Sequence, residues 1–385
     1  MRTRRRARSR PEITPFHVME VMKAAERREA AGGDVLHLEV GQPATPAPAG
    51  VRQAAIEAIG NDRLAYTAAT GIAPLRERIA EHYAASYGVA VSPDRIVVTV
   101  GASGACVLSF LAAFGPGARV AVTEPGYPCY RNMLAAFDIE VVGVPVGPDT
   151  GYRLTPEHLE AAGNLDGVVV ASPSNPTGTT LDPGELDALA DWCRRHEVRL
   201  VADEIYHGIT YGRPITTALA SDSSAITIGS FSKYFSMTGW RLGWLVVPDD
   251  LLGPVERLAQ NLFISPPTLS QLAACAAFDC TDELDEHVRR YEANRKVLVE
   301  GLPKAGFANL APADGAFYVY ADVSEYTDDS QRLCAEWLAG IGIAATPGID
   351  FDPVRGHHHV RFSFAGATED MTMAVDRLTT WVASH

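Results

Sequence analysis

The stretch Gly229-Ser230-Phe231-Ser232-Lys233-Tyr234-Phe235-Ser236-Met237-Thr238-Gly239-Trp240-Arg241-Leu242-Gly243 emerges from one short apolar run, Ala225 to Ile228, and leads into another, Leu242 to Val247. Both runs read as strands, so the residues between them form a loop at a sheet end, where α/β proteins present ligand-binding groups. A lysine flanked by serines, with an arginine eight residues on, has an economical chemical explanation. The amine can form a Schiff base with an aldehyde, while hydroxyl and guanidinium groups hold an attached phosphate. Alone, the lysine would read as an exposed loop residue. No crossover of helix length separates the two runs, so they pair as a hairpin and add one antiparallel strand.

Outward from this loop, helical segments alternate with further apolar runs: Ile96 to Val100, Arg119 to Thr123, Ile139 to Val144, Gly167 to Ala171 and Arg199 to Ala202. That alternation predicts an α/β fold, a mainly parallel seven-stranded sheet covered by helices on both faces. From Glu283 the pattern changes. A long charged helix to Leu302 precedes Gly315-Ala316-Phe317-Tyr318-Val319-Tyr320, a helix around Gln331 to Leu338, a strand over His359 to Phe364 and a last helix to Trp381. These features predict a large α/β domain over 47–282 and a smaller α+β domain from 11–46 and 283–385. The arm 1–10 holds six arginines between Arg2 and Arg10 and reads as a frayed, solvated terminus.

Composition narrows the function classes. A formal charge of -14 opposes a nucleic-acid partner, which needs a basic face. No run nears the roughly 18 apolar residues of a membrane span, and no apolar segment follows the arginines as in a secretory leader. A cytoplasmic enzyme is expected. The six cysteines are scattered without CxxC spacing and read as reduced. Consecutive His357, His358 and His359 point in different directions and cannot converge on one ion, so no metal is expected.

Several other segments carry polar groups at strand ends. Ser172-Pro173-Ser174-Asn175-Pro176-Thr177-Gly178 follows an apolar strand, and Ala202-Asp203-Glu204-Ile205-Tyr206 closes the next one. Gly101-Ala102-Ser103-Gly104-Ala105 lies between a strand and a helix, where small residues let backbone N–H groups close around a phosphate. Pro125-Gly126-Tyr127-Pro128-Cys129-Tyr130, Val360-Arg361-Phe362-Ser363-Phe364, Gly41-Gln42-Pro43 and Ala65-Tyr66-Thr67 complete the set. Each has a plain structural reading: a good turn at Asn175, a helix cap at Asp203, a core tyrosine at Tyr127, a solvent-facing strand arginine at Arg361. Neither GxxxxGK[ST] nor GxGxxG occurs, which argues against a P-loop or a dinucleotide site.

Taken in chain order, from Gly41 to Arg361, these segments resemble the class I and II aminotransferases, the fold-type I pyridoxal-phosphate enzymes. The resemblance implies pyridoxal 5'-phosphate held as a Schiff base by Lys233. It further implies Asn175 and Tyr206 at the cofactor's phenolic oxygen, Asp203 at its pyridine nitrogen and Tyr127 stacked on its ring. Ala102, Ser103, Gly104, Ser230 and Arg241 would hold its phosphate. Arg361 and Gly41 would meet the substrate carboxylate, and Tyr66 would reach the neighbouring site of a homodimer. The implied activity is ping-pong transfer of an amino group from an L-amino acid to a 2-oxo acid, with 2-oxoglutarate the expected acceptor. A carbon–sulfur β-lyase on the same fold is the second reading. A non-catalytic effector-binding regulator is the third, though the residues before Gly41 are few for a folded DNA reader. Ala259 and Gln260 stand where dicarboxylate-specific relatives place an arginine, and Gly348-Ile349-Asp350-Phe351-Asp352 departs from the family pattern. That stretch is expected to line the substrate side chain, and the donor to be neutral or aromatic.

Overall fold

A computed structural model describes residues 13–385, and the arginine-rich arm lies outside the described residues. The elements run α1 (His17–Ala30), β1 (Leu36–His37), α2 (Ala49–Asn61), α3 (Ala73–Tyr87), β2 (Ile96–Thr99), α4 (Gly101–Ala113), β3 (Arg119–Glu124), α5 (Pro128–Ala136) and β4 (Glu140–Pro145). There follow α6 (Pro156–Ala162), β5 (Gly167–Ala171), α7 (Pro183–Arg195), β6 (Arg199–Asp203), α8 (Ala218–Ser221), β7 (Ile226–Ser230), β8 (Gly243–Val246), α9 (Asp249–Leu262) and α10 (Thr268–Ala274). The chain ends with α11 (Thr281–Lys304), β9 (Tyr318–Asp322), α12 (Ser330–Ile341), β10 (Ile343–Ala344), β11 (Thr346–Pro347), β12 (His359–Ser363) and α13 (Thr368–Val382).

All seven expected runs form one sheet in the order β2-β8-β7-β6-β5-β3-β4. β8 is antiparallel to β7 and β2, and the other pairings are parallel, as the short β7–β8 connection requires. The pleat explains why these strands read as continuous apolar runs rather than alternating ones. Val169, Val201, Ile226 and Ile228 bury into the core on one face, while Val168, Val170, Leu200 and Ala202 bury into that on the other. Each residue therefore leaves water whichever way it points.

Caps set the helix ends. Asp182 and Glu185 form a reciprocal capping box around Pro183 at the start of α7. Asp329 accepts from the N–H groups of Gln331 and Arg332 at the start of α12, and Gly342 at φ 68 ends that helix. No helix among the described residues is long and apolar enough to cross a membrane.

A second sheet, β11-β12-β9, carries its own core of Phe307, Phe317, Trp337, Phe362 and Phe364 beneath α11 and α13. The N-terminal segment joins this part, since β1 pairs parallel with β10 through Leu36↔Ile343 and His37↔Ala344.

The β7–β8 hairpin depends on one small residue. A Cβ at Gly229 would lie 2.0 Å from Trp244 Cε2, and Trp244 is itself buried against Phe231 with ring centroids 5.0 Å apart. Gly229→Ala must displace the indole, so urea denaturation is expected to show a loss of about 1–3 kcal/mol. Unchanged stability would show that Trp244 has room the packing does not suggest.

Candidate active site

The candidate site forms where the parallel strands end. β6 ends in Asp203, β7 in Ser230, β5 leads to the turn holding Asn175, and β2 leads through Val100 into α4. A cavity of about 240 Å³ lies across these ends. Its walls hold Gly41, Ala102, Ser103, Tyr127, Asn175, Asp203, Tyr206, Ser230, Lys233, Arg241 and Arg361, all expected from sequence.

Lys233 projects into this cavity and its Nζ donates to the Gly41 carbonyl at 2.6 Å. Burial, with a smaller push from Arg361, lowers its pKa to about 8, although Asp203 pulls the other way. The amine is therefore part-neutral near neutral pH, as a nucleophile or proton acceptor must be. Gly41 must be glycine, because a Cβ there would lie 2.1 Å from the Tyr318 hydroxyl oxygen.

Asp203 is 2% exposed, and burial raises its pKa to about 6 despite hydrogen bonds from the Tyr130 hydroxyl and the Ile205 N–H. A carboxylate held in this way favours a cationic N–H partner, which would restore the charged form. Tyr206 and Tyr318 share a hydroxyl–hydroxyl hydrogen bond of 2.7 Å beside it.

The start of α4 also borders the cavity, through Ala102 and Ser103. The first turn of α4 has no side-chain cap, so its N–H groups remain free to bind an anion. Arg241 approaches Gly101 so closely that a Cβ on that glycine would lie 2.6 Å from Nη2. Gly101 also has φ +68, which favours glycine. Ser230 lines the cavity, and its Oγ accepts from the Ser232 N–H at 3.0 Å.

Arg361 is 2% exposed and lies between two rings, with Cζ 4.4 Å from the Tyr318 centroid and 4.9 Å from that of Phe351. Its Nη1 donates to Asn175 Oδ1 at 2.9 Å, and its Nη2 to the Glu39 carbonyl and to Thr346 Oγ1. Its Nε, also buried, has no partner. An orphaned guanidinium N–H, an uncapped helix start and a buried carboxylate suit a ligand set of carboxylate, phosphate and protonated ring nitrogen. The walls carry the basic side chains of Lys233, Arg241 and Arg361 against the one acidic side chain of Asp203, a balance that suits an anionic ligand.

Two expected residues stand apart. Gly104 is buried in α4 and does not line the cavity, although Ser103 beside it does. Tyr66 is 82% exposed and does not line the cavity.

Others were missed. Tyr130, Ser232, Thr238 and Tyr318 line the cavity, as do Phe16, Val18, Met19 and Met22 around α1, with Met133 from α5. The stretch Gly348–Asp352 does not line it, contrary to expectation. Its Asp350 turns outward to α1, accepting from the N–H groups of His17 and Val18, and Phe351 packs under Arg361. The tyrosine at 130 had a local signal, one helical turn from Tyr127, whereas nothing local marked the wall from α1.

Comparison with known proteins yields a consistent assignment. The family model for aminotransferase class I and II matches residues 33–378. The valine–pyruvate aminotransferase of Mycobacterium tuberculosis is 49% identical over 381 residues, 98% of each chain. A crystal structure of an aminotransferase from Mycobacterium tuberculosis superposes with a TM-score of 0.97 at 48% identity, covering 99% of this chain and 100% of that one. Aspartate aminotransferase from Thermus thermophilus with maleate gives 0.90 at 30% identity, covering 96% and 97%.

The lowered pKa of Lys233 has a direct readout in the cofactor-free protein. Only the neutral amine attacks, and its fraction grows as pH rises through the pKa. The rate of Lys233 labelling by a neutral amine reagent should therefore rise with pH and level off above about 8. A midpoint near the ordinary lysine value, about 10.4, would contradict the burial argument.

Proposed function

The chain belongs to the class I and II aminotransferases and is a pyridoxal-phosphate-dependent enzyme acting on amino and 2-oxo acids, and from that premise we propose that its donor is a neutral aliphatic L-amino acid. The observation that carries this reading is the apolar wall of Phe16, Val18, Met19, Met22 and Met133. Among the described residues the cavity holds no cation beyond Lys233, Arg241 and Arg361, so a second substrate carboxylate would be buried unpaired. The name of the Mycobacterium tuberculosis relative, a valine–pyruvate aminotransferase, agrees with a branched donor. One pocket serves both half-reactions in a ping-pong scheme. The same wall then favours pyruvate as acceptor over the 2-oxoglutarate expected from sequence.

When bound, the cofactor supplies an aldehyde for Lys233 and a ring that takes up the electron pair left by the departing α-proton. In the proposed roles, Asp203 holds the ring-nitrogen proton and is itself held by Tyr130. The α4 amides, Ser230 and Arg241 grip the phosphate, and Tyr127 faces the ring. Arg361 engages the substrate carboxylate, oriented by Asn175 and clamped between Tyr318 and Phe351. Asn175 and Tyr206 serve the phenolic oxygen. Lys233 would act as the base that takes the proton from the substrate Cα and as the acid that delivers it to the carbon derived from the cofactor's aldehyde.

We also propose a homodimer in which Tyr66 reaches the partner's phosphate cup. Leu64, Tyr66, Leu262 and Ile264 are exposed, and Thr268 Oγ1 donates to the Ala65 carbonyl at 2.6 Å, which ties the two segments together. Such clustered apolar exposure suits an interface. The chain is taken to divide near residues 47 and 282, which the separate cores and the β1–β10 pairing support.

The test is a donor panel with pyruvate. Valine or isoleucine should exceed aspartate in kcat/KM by at least about 100-fold, the order expected when a buried carboxylate lacks a partner. A preference for aspartate would refute the donor assignment, and release of pyruvate and ammonia from a β-substituted donor would move the reading to a lyase. Lys233→Ala should abolish turnover and the absorption band of lysine-bound cofactor. Arg361→Lys, which loses the bidentate fork, should raise KM roughly 10- to 100-fold.

A further inference from the structure

The apolar wall and the carboxylate arginine come from opposite ends of the chain, and a single residue touches the supports of both. Asp350 ends a short 3-10 turn, Gly348–Asp350, which leads directly into Phe351 beneath Arg361. Its Oδ1 accepts from His17 N–H at 2.8 Å and its Oδ2 from Val18 N–H at 2.9 Å. These are the first two N–H groups of α1, and the helix has no side-chain cap of its own at Phe16. A remote carboxylate therefore does the work of an N-cap, and its negative charge suits the helix N-terminus. The backbone of Asp350 and Phe351 is fixed separately. Arg131 donates to both carbonyls, and the Gly126 N–H donates to that of Phe351 at 3.0 Å. The turn is thus an anchored platform, and among the described residues the Asp350 carboxylate supplies its side-chain hydrogen bonds to α1.

We propose that Asp350 is a positioning residue for substrate side-chain selection, holding the first turn of α1 so that Phe16, Val18 and Met19 close the apolar subsite at a set distance from Arg361. This rests on the aminotransferase reading above and deepens it. Phe16 packs edge-on against Tyr127, with centroids 6.2 Å apart, so the turn that Asp350 holds also borders the cofactor-facing ring. Arg361 keeps its seat without the carboxylate, because its contacts are to Phe351, Tyr318, Asn175, Thr346 and the Glu39 backbone. Loss of the clamp should therefore act on the side-chain subsite rather than on carboxylate binding.

The test measures the ratio of kcat/KM for valine to that for alanine in wild type, Asp350→Asn and Asp350→Ala, with amide hydrogen exchange at His17 and Val18 in parallel. Asparagine keeps one acceptor and alanine none. The ratio should fall about tenfold in Asp350→Asn, the worth of one charge-assisted hydrogen bond, through KM more than kcat, and further in Asp350→Ala. Exchange at the two amides should quicken by a similar factor while the rest of the protein keeps its protection. A ratio unchanged within about twofold, or equal losses for both donors, would overturn the proposal, since a purely structural role lowers both alike. If Asp350→Ala does not fold, Asp350→Asn decides. If the wild type turns over no aliphatic donor, the functional reading fails, and unchanged exchange at His17 and Val18 in Asp350→Asn would overturn the clamp as well.

Discussion

The site depends on the antiparallel pairing of β7 with β8. The register Ser230↔Gly243 closes the base of the segment that carries Lys233 and Arg241, so neither end can drift. Within it, the Thr238 hydroxyl donates to the Ser232 carbonyl at 2.8 Å, and Arg241 Nη1 to the Thr238 carbonyl at 2.9 Å. Glycines permit the close approaches this requires. A Cβ at Gly243 would lie 2.9 Å from the Ala102 nitrogen, at the uncapped start of α4. The Lys233 amine, Arg241 and the start of α4 are therefore held together by one hairpin, and their spacing is a property of the sheet.

Much of this was legible because parallel strands buried on both faces leave an unmistakable record of short β-branched runs. Polar residues at their ends then have few places to go. Asp203, Asn175 and Ser230 read as strand-end residues for that reason, their convergence on one site followed from the family resemblance, and the antiparallel β8 followed from the brevity of the connection before it. Tyr130 and Tyr318 were harder. An aromatic residue in a helix or strand usually serves a core, and the difference here is made by partners distant in sequence: Asp203 for Tyr130, Tyr206 for Tyr318.

The wall from α1 was illegible for a stronger reason. Val18, Met19 and Met22 look like one apolar stripe of an amphipathic helix, and which neighbour such a stripe faces is not a local property. Asp350 gave no clue either. Its contact with His17 spans 333 positions of sequence, and an aspartate in a short turn ordinarily bonds to the backbone beside it. The stretch was noticed as a departure and assigned to the cavity wall, when its side chain supports the wall from behind.

The electrostatics explain why this arrangement can tolerate two strained charges. Lys233 and Asp203 are each shifted toward neutrality by burial, the amine downward and the carboxyl upward. The fold meets the guanidinium of Arg361 differently, with two aromatic faces and acceptors on Asn175, Glu39 and Thr346. The lysine and aspartate thus remain adjustable, while the guanidinium is held in place by its neighbours. That division would suit the roles proposed above, a proton carrier at Lys233 and a carboxylate holder at Arg361. It also follows that selectivity is best varied away from these charges, in the apolar wall, where a change of shape alters which side chain fits without disturbing proton transfer.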